Sequence, residues 1–345
     1  MEMIISNWVF LCLLGGAIDG LGQLLCKRAW APPPYVIVGT LGIMWFLGPL
    51  LLMTLGPTHV GGLAIMTLGQ AAALGVGTLL PAFLVGVMFW TDNLTRFDAN
   101  NKAPFVGYVL VLIGISEMAT AFLLEFFIKS YRGELVVISL GQIFGTLCAL
   151  TSIGFFLGKK FADEKADKMR RAQDGFVVKK TKPFIPLSWV TLAIITGILS
   201  GLGGILFKED PAMPPYVFTG IIGAVWMTCT AVFMGGRTLW KSAGLRLDIL
   251  SFKEARAFGP TVFGPLILAG VLTWGANLGR FSAVKGAPLV GYVYLLFPIA
   301  AVTVTLLLEG MVKRLRGERF TISWYEIGGV AFAVGALAFF SLASA

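Results

Sequence analysis

The sequence predicts an all-α membrane protein of ten transmembrane helices in two inverted five-helix repeats, and three observations carry that expectation. Hydrophobic residues make up 57% of the 345 residues and charged residues only 13%, far from a soluble balance. Apolar stretches of about 20 residues, the length that crosses a bilayer, recur from end to end. The second half also repeats the first. Asn93 to Val109 reads NLTRFDANNKAPFVGYV and Asn277 to Val293 reads NLGRFSAVKGAPLVGYV, identical at 11 of 17 positions.

The spans fall at 6–26, 35–55, 68–92, 104–128 and 135–158, then at 187–207, 216–235, 258–279, 288–312 and 322–343. Backbone groups in lipid need internal partners, so each span is expected to be helical. The first opens on Glu2 without a basic cluster, and Cys26-Lys27-Arg28 stands where a secretory signal has small residues. It is therefore expected to be retained. The apolar run Gly56 to Thr67 reads as a lip, a re-entrant turn or an early start to the third span. These spans divide the chain into a repeat over 1–158, a basic linker over 159–186 and a repeat over 187–345. A shift of 184 pairs Trp90 with Trp274, Leu123-Leu124-Glu125 with Leu307-Leu308-Glu309, and Arg132-Gly133-Glu134 with Arg316-Gly317-Glu318. A shift of 181 pairs Pro33-Pro34-Tyr35-Val36 with Pro214-Pro215-Tyr216-Val217, Trp45 with Trp226, and Lys27 with Lys208. Duplicated membrane halves form two units around one central site.

The net charge of +9 invites a nucleic-acid reading, but its distribution argues otherwise. Along ten spans, odd-numbered loops hold 22 Lys and Arg and even-numbered loops hold 5. Basic loops stay in the cytoplasm, which places both termini outside the cell (inner) membrane and the linker inside. That linker reads as a topology determinant that meets anionic lipid heads rather than a nucleic-acid site. With five spans per half, the second half enters from the opposite side, so Arg96 and Arg280 are expected at opposite faces. Cys12, Cys26, Cys148 and Cys229 fall in or beside spans without paired spacing and read as apolar thiols. The single His59 builds no metal site alone. Without a phosphate loop, a His-rich box, a Ser–Lys pair or paired acids on one helix face, neither an enzyme nor an ATP-driven pump is expected, and no cofactor is implied.

Gly133-Glu134 precedes ISLGQIFGTLCAL, and Gly317-Glu318 precedes ISWYEIGGVAFAVGAL, each an apolar fourth span followed by a Gly-rich fifth. On these segments the chain resembles the drug/metabolite transporter superfamily of EamA-like ten-helix carriers over essentially its whole length. Within it, Trp90-Thr91-Asp92-Asn93 and Trp274-Gly275-Ala276-Asn277 look closest to the L-rhamnose–proton symporters and bacterial glucose uptake proteins. Where sugar porters show a Gly-Val-Ser…Pro pattern, this chain has Ala287-Pro288-Leu289-Val290-Gly291-Tyr292. The resemblance implies a carrier of small polar molecules driven by a proton or sodium gradient.

Differences between the halves locate candidate chemistry. Asp19 aligns with Ser200, Asp92 with Ala276, Asp98 with Ser282 and Glu117 with Ala301. A carboxylate near the bilayer centre needs a cavity, a partner or a proton, so Asp19 and Glu117 are the candidates for binding a coupling proton or cation. The plainer alternatives are a helix-end acid paired with Lys27 and a neutral acid hydrogen-bonded to a neighbouring helix. Glu125 and Glu309 each precede a lysine by four residues, Lys129 and Lys313, a spacing read as a surface helix pair. For substrate contacts, Trp90, Asn93 and Arg96 repeat as Trp274, Asn277 and Arg280, three apart and hence on one helical face. The alternative is an interfacial Trp belt with a snorkelling Arg. Tyr108 and Tyr292, one turn beyond Pro104 and Pro288, are candidates to line the cavity. A carrier of a small polar metabolite competes here with a flippase for a lipid-linked precursor. The flippase would favour a lateral groove and a basic pair such as Lys27 and Lys208.

Overall fold

The computed structural model describes residues 8–28, 32–54, 59–60, 63–103, 106–135, 138–152, 154–155, 158, 162, 185–210, 212–242, 249–315 and 323–344. The basic linker lies almost wholly outside this set, as do the side chains of Lys27, His59, Tyr108, Glu309 and Lys313. The first half folds as α1 (Trp8–Arg28), α2 (Pro34–Thr54), a hairpin of β1 (His59–Val60) and β2 (Leu63–Ala64), and α3 (Leu68–Ala72). It continues as α4 (Val76–Lys102), α5 (Val106–Tyr131) and α6 (Leu140–Ser152). The second runs α7 (Trp189–Lys208), α8 (Pro215–Gly235), α9 (Arg237–Ser242), α10 (Phe252–Arg256), α11 (Pro260–Gly286), α12 (Val290–Leu315) and α13 (Trp324–Ser344). Among the described residues the protein is thus all-helical apart from one small hairpin. Among the described residues seven helices, α1, α2, α4, α5, α7, α8 and α11, are long and apolar enough to cross a membrane. Shorter apolar stretches run over 140–152, 290–305 and 327–336. The chain is a multi-pass membrane protein.

The third and eighth spans run past their expected far ends for the same reason in each half, and the third also starts later than expected. The expected 68–92 and 258–279 are helices Val76–Lys102 and Pro260–Gly286. At the entry, Gly75 and Gly259 adopt φ of 79° and 74°, a left-handed turn that glycine takes without strain. Each follows a one-turn helix opened by a capping box, Thr67 with Gln70 and Ser251 with Glu254. These boxes satisfy backbone donors at the start of each short helix, and the glycine turn then sets the long helix apart from it. At the far end both helices continue through polar sequence because that sequence is buried, not solvated. Asn93, Arg96, Asp98 and Asn100 are all buried in α4, and Asn277 and Arg280 in α11. Hydropathy alone ends the two spans at 92 and 279, before Arg96 and Arg280.

The most extensive helix–helix contacts all join one half to the other. Glycines allow the close approaches. α1 runs antiparallel to α11, with Gly279 beside Leu11 and Gly22 beside Ala269, and parallel to α12, with Gly16 beside Phe297 and Gly20 beside Ala301. α7 repeats this against the first half. Its Gly203 meets Phe89 of α4, its Thr196 bonds Thr95, and its Gly197 and Gly201 meet Ile113 and Glu117 of α5. α2 crosses α8 antiparallel, Gly39 beside Thr230, Gly42 beside Trp226 and Gly220 beside Pro49. α5 crosses α12 antiparallel, Gly114 beside Pro298 and Gly291 beside Phe122. Small residues packed on backbone are how helices associate without a hydrophobic driving force. Two tyrosines one shift apart pin the segments that precede α3 and α10: Met66 N–H donates to Tyr216 Oη (2.7 Å) and Leu250 N–H to Tyr35 Oη (2.8 Å).

Candidate functional site: a buried charged hollow between the halves

At the contact of the two halves lies a small hollow, lined by polar residues from α1, α4, α7 and α11 with aromatic walls from α2 and α8. α4 and α11 build it in parallel fashion. Asn93 and Asn277 turn their amides onto their own helices, donating to Phe89 O and Thr273 O at 2.8 Å each. One turn on, Arg96 and Arg280 enter the hollow. They are 8% and 4% exposed. Neither snorkels, and they do not lie at opposite faces: both converge on Glu117 of α5. Arg280 Nη2 stands 2.9 Å from Glu117 Oε1 and Arg96 Nη2 3.9 Å from the same oxygen. Glu117 is 1% exposed. The closer pair meets at ion-pair distance without hydrogen-bond alignment, since Glu117 Oε1 has no hydrogen-bond partner.

Neighbours hold Arg280 in place. Its Nη2 donates to Ser200 Oγ at 3.1 Å, and its guanidinium lies 4.4 Å from the Tyr294 ring centroid, a cation–π contact strengthened by burial. The Tyr294 hydroxyl in turn donates to Ser200 O at 3.3 Å. Arg96 has no such platform, because Leu110 stands where Tyr294 stands in the other half. Glu117 is therefore asymmetrically shared between two otherwise equivalent arginines.

Several lining groups lack partners. Asp19 Oδ1, Asp92 Oδ1, Arg96 Nε, Arg280 Nε and Trp226 Nε1 are buried and unbonded. Buried polar atoms of this kind are rare and mark strain, function or a missing ligand. The Trp226 orphan follows from the duplication. Trp45 and Trp226 face each other with ring centroids 4.6 Å apart. Trp45 Nε1 donates to Thr273 Oγ1 at 3.2 Å. The position equivalent to Thr273 is Phe89, which offers no acceptor, so Trp226 presents a free N–H to the hollow.

Of the residues singled out from sequence, Asp19, Asn93, Arg96, Asn277 and Arg280 line the hollow, and Glu117 sits behind its arginines. Trp90 and Trp274 do not line it. Their indole N–H groups donate to Thr230 (3.1 Å) and Thr219 (3.2 Å), joining α4 to α8 and α11 to α8. Tyr292 is fully buried but elsewhere, packed on Trp8 and Phe122 beside an apolar groove. Tyr294, on another face of α12, is the tyrosine that reaches the site's residues, lying against Arg280 and Ser200 rather than lining the hollow itself. Tyr108 falls outside the described side chains. Glu125 is no surface acid: at 3% exposure it binds Lys208 across the halves (2.8 Å) as well as Lys129 (3.8 Å). Sequence reading passed over Trp45 and Trp226 as site residues although their pairing was visible. Tyr294 and Ser200 carried no signal, because neither matches its counterpart.

The four cysteines are unpaired thiols. No family model and no curated protein matches the chain. A crystal structure of another protein aligns with 98% of this chain and 97% of its own at a TM-score of 0.56 and 14% identity. Its likeness is one of fold along the whole length.

Proposed function

We propose that this chain is a secondary-active carrier that moves a small polar metabolite, a sugar or a molecule of similar size, across the cytoplasmic membrane by alternating access. In this reading ten helices form two five-helix repeats inverted about an axis in the membrane plane, as in the drug/metabolite transporter superfamily. The antiparallel crossings of the equivalent pairs α2/α8 and α5/α12 support the inversion. Removing the buried Arg96 and Arg280 from the loop tally leaves the basic bias at 21 to 4, which supports external termini.

The observation that carries the proposal is the delivery of one Asn-x-x-Arg turn from each half into a single buried hollow with unsatisfied donors and acceptors. Both kinds of free group favour a ligand rich in hydroxyls or mixed charge. Elements present in both halves serve the alternating movement, whereas Asp19 and Glu117, present once, serve coupling. Protonation of Glu117 would release Arg280, linking proton and substrate occupancy. A second reading, translocation of a lipid-linked precursor, draws on the apolar groove of Phe122, Phe126, Leu147 and Tyr292. It loses its basic pair, since Lys208 is engaged by Glu125.

A thermal-shift screen of purified protein against sugars, amino acids and lipid-linked precursors separates these readings. The expected hit is a small polar compound, taken up by proteoliposomes under an imposed proton gradient and at least tenfold more slowly with Glu117→Gln or Asp19→Asn. Stabilisation by a lipid-linked precursor alone would favour the second reading. Full, still pH-dependent accumulation in both variants would remove the coupling role.

A further inference from the structure

Of the ion-pair clusters among the described residues, the one around Glu125 has every member retained in the other half. Asp98–Lys102 aligns with Ser282 and Gly286, Arg237–Glu254 with Met53 and Gln70, and Glu117 with Ala301. Glu125, Lys129 and Lys208, by contrast, align with Glu309, Lys313 and Lys27. The buried Glu125 carboxylate clamps three segments at one end of the bundle. Its Oε1 lies 2.8 Å from Lys208 Nζ at the end of α7, and its Oε2 accepts from Val290 N–H, the first residue of α12, at 2.6 Å. Lys208 also donates to Ala287 O (3.1 Å) and Pro288 O (3.3 Å) in the turn between α11 and α12. Lys129 donates to Pro288 O at 3.4 Å. One half is thereby stapled to the other across the end of the hollow-forming helices.

The mirror residues are placed by backbone alone. Glu309 lies near the end of α12 and Lys27 near the end of α1, two helices that run side by side in the same direction, as α5 and α7 do. Because α5 and α12 are antiparallel, Glu309 and Lys27 stand at the opposite end of the bundle from Glu125 and Lys208. We infer that Glu125–Lys208 and Glu309–Lys27 are two gating locks, one per membrane face, that close in alternation. Each lock seals the hollow from its own side, and breaking one biases the protein toward opening there. This assignment rests on the carrier reading and adds four positioning residues to it.

The test places a cysteine at Thr273, which lines the hollow, in a background with the four native cysteines replaced. Labelling by a membrane-impermeant maleimide is then followed in right-side-out and inside-out vesicles. The parent should label slowly from both sides. Glu125→Gln and Lys208→Met should each raise the rate roughly tenfold from the face where α5 ends, and Glu309→Gln and Lys27→Met from the other. The exchange Glu125→Lys with Lys208→Glu should bring the rate back toward the parent, which a merely misfolded variant would not do. Equal acceleration from both faces, or no change in a parent that labels from both, would overturn the locks while leaving the carrier standing. A parent that labels from a single face throughout would overturn the carrier reading itself, and the locks with it.

Discussion

Replacing Glu117 by glutamine is expected to lower the free energy of unfolding by about 3–5 kcal/mol and to abolish coupled transport. Two arginines, 8% and 4% exposed, converge on this one carboxylate. Glutamine keeps the shape but removes the charge, leaving both guanidinium groups in a low-dielectric interior with less compensation. Asp19 and Asp92 line the same hollow and offset part of the loss, so the lower end of the range is expected. Thermal unfolding in detergent measures the first effect and proteoliposome uptake the second. A companion variant separates them. Glu117→Met combined with Arg280→Met deletes the closer pair together, and exchanging a buried pair for apolar volume is frequently neutral or stabilising. That double variant should recover part of the lost stability, since Arg96 is still left without Glu117, and none of the transport. An unchanged melting temperature in Glu117→Gln would mean that the arginines are compensated elsewhere, and the hollow would lose its electrostatic centre.

Helix identities and the duplication were legible because apolar length and internal identity are local signals. Among the described residues the seven helices long enough to cross a membrane all fall on expected spans. The two that overrun, α4 and α11, show what hydropathy cannot see. A membrane protein that encloses a polar site buries polar sequence against protein rather than lipid, so spans drawn from hydropathy stop at 92 and 279, short of Arg96 and Arg280. Equivalence by sequence also suggested that Arg96 and Arg280 part to opposite faces. They meet instead, because α4 and α11 both pass deep through the interface between the halves. The Trp–Asn–Arg stripe was correct as a helical face but too generous in reach. Each Trp lies a full turn before Asn and is drawn off by a threonine on α8. Tyr294 was invisible because its role depends on Arg280 crossing from another helix to lie over its ring.

The same asymmetry predicts unequal consequences for two equivalent glycines. Gly16 and Gly197 correspond under the 181 shift, and each packs on the equivalent turn of α12 or α5. A Cβ at Gly16 would collide with Phe297 O and lie 2.9 Å from Ala300 Cβ. At Gly197 it would press on Ser116 Cβ, lie 2.6 Å from Ile113 O and 2.9 Å from Glu117 N. Backbone atoms cannot rotate aside, so in both cases the helices must separate. Overpacking of this kind costs about 1–3 kcal/mol, reduced by up to about 1 kcal/mol because alanine favours helix over glycine. Gly16→Ala and Gly197→Ala should therefore lower the melting temperature to a similar degree. Transport should not follow stability. Gly197 bears on the turn that carries Glu117, so displacing it lengthens the 2.9 Å contact to Arg280. Gly16 bears on the matching turn that carries Ala301, which holds no charge. The nearby Asp19 has an Oδ1 without a hydrogen-bond partner and a side-chain bond to Gln23 on its own helix, so a shift of a few tenths of an ångström at α1 leaves that bond in place. Uptake is expected to fall at least tenfold in Gly197→Ala and no more than about threefold in Gly16→Ala, each normalised to folded protein. Equal losses in the two variants would show that the halves share the chemistry as well as the movement, and Glu117 would no longer be the point where they differ.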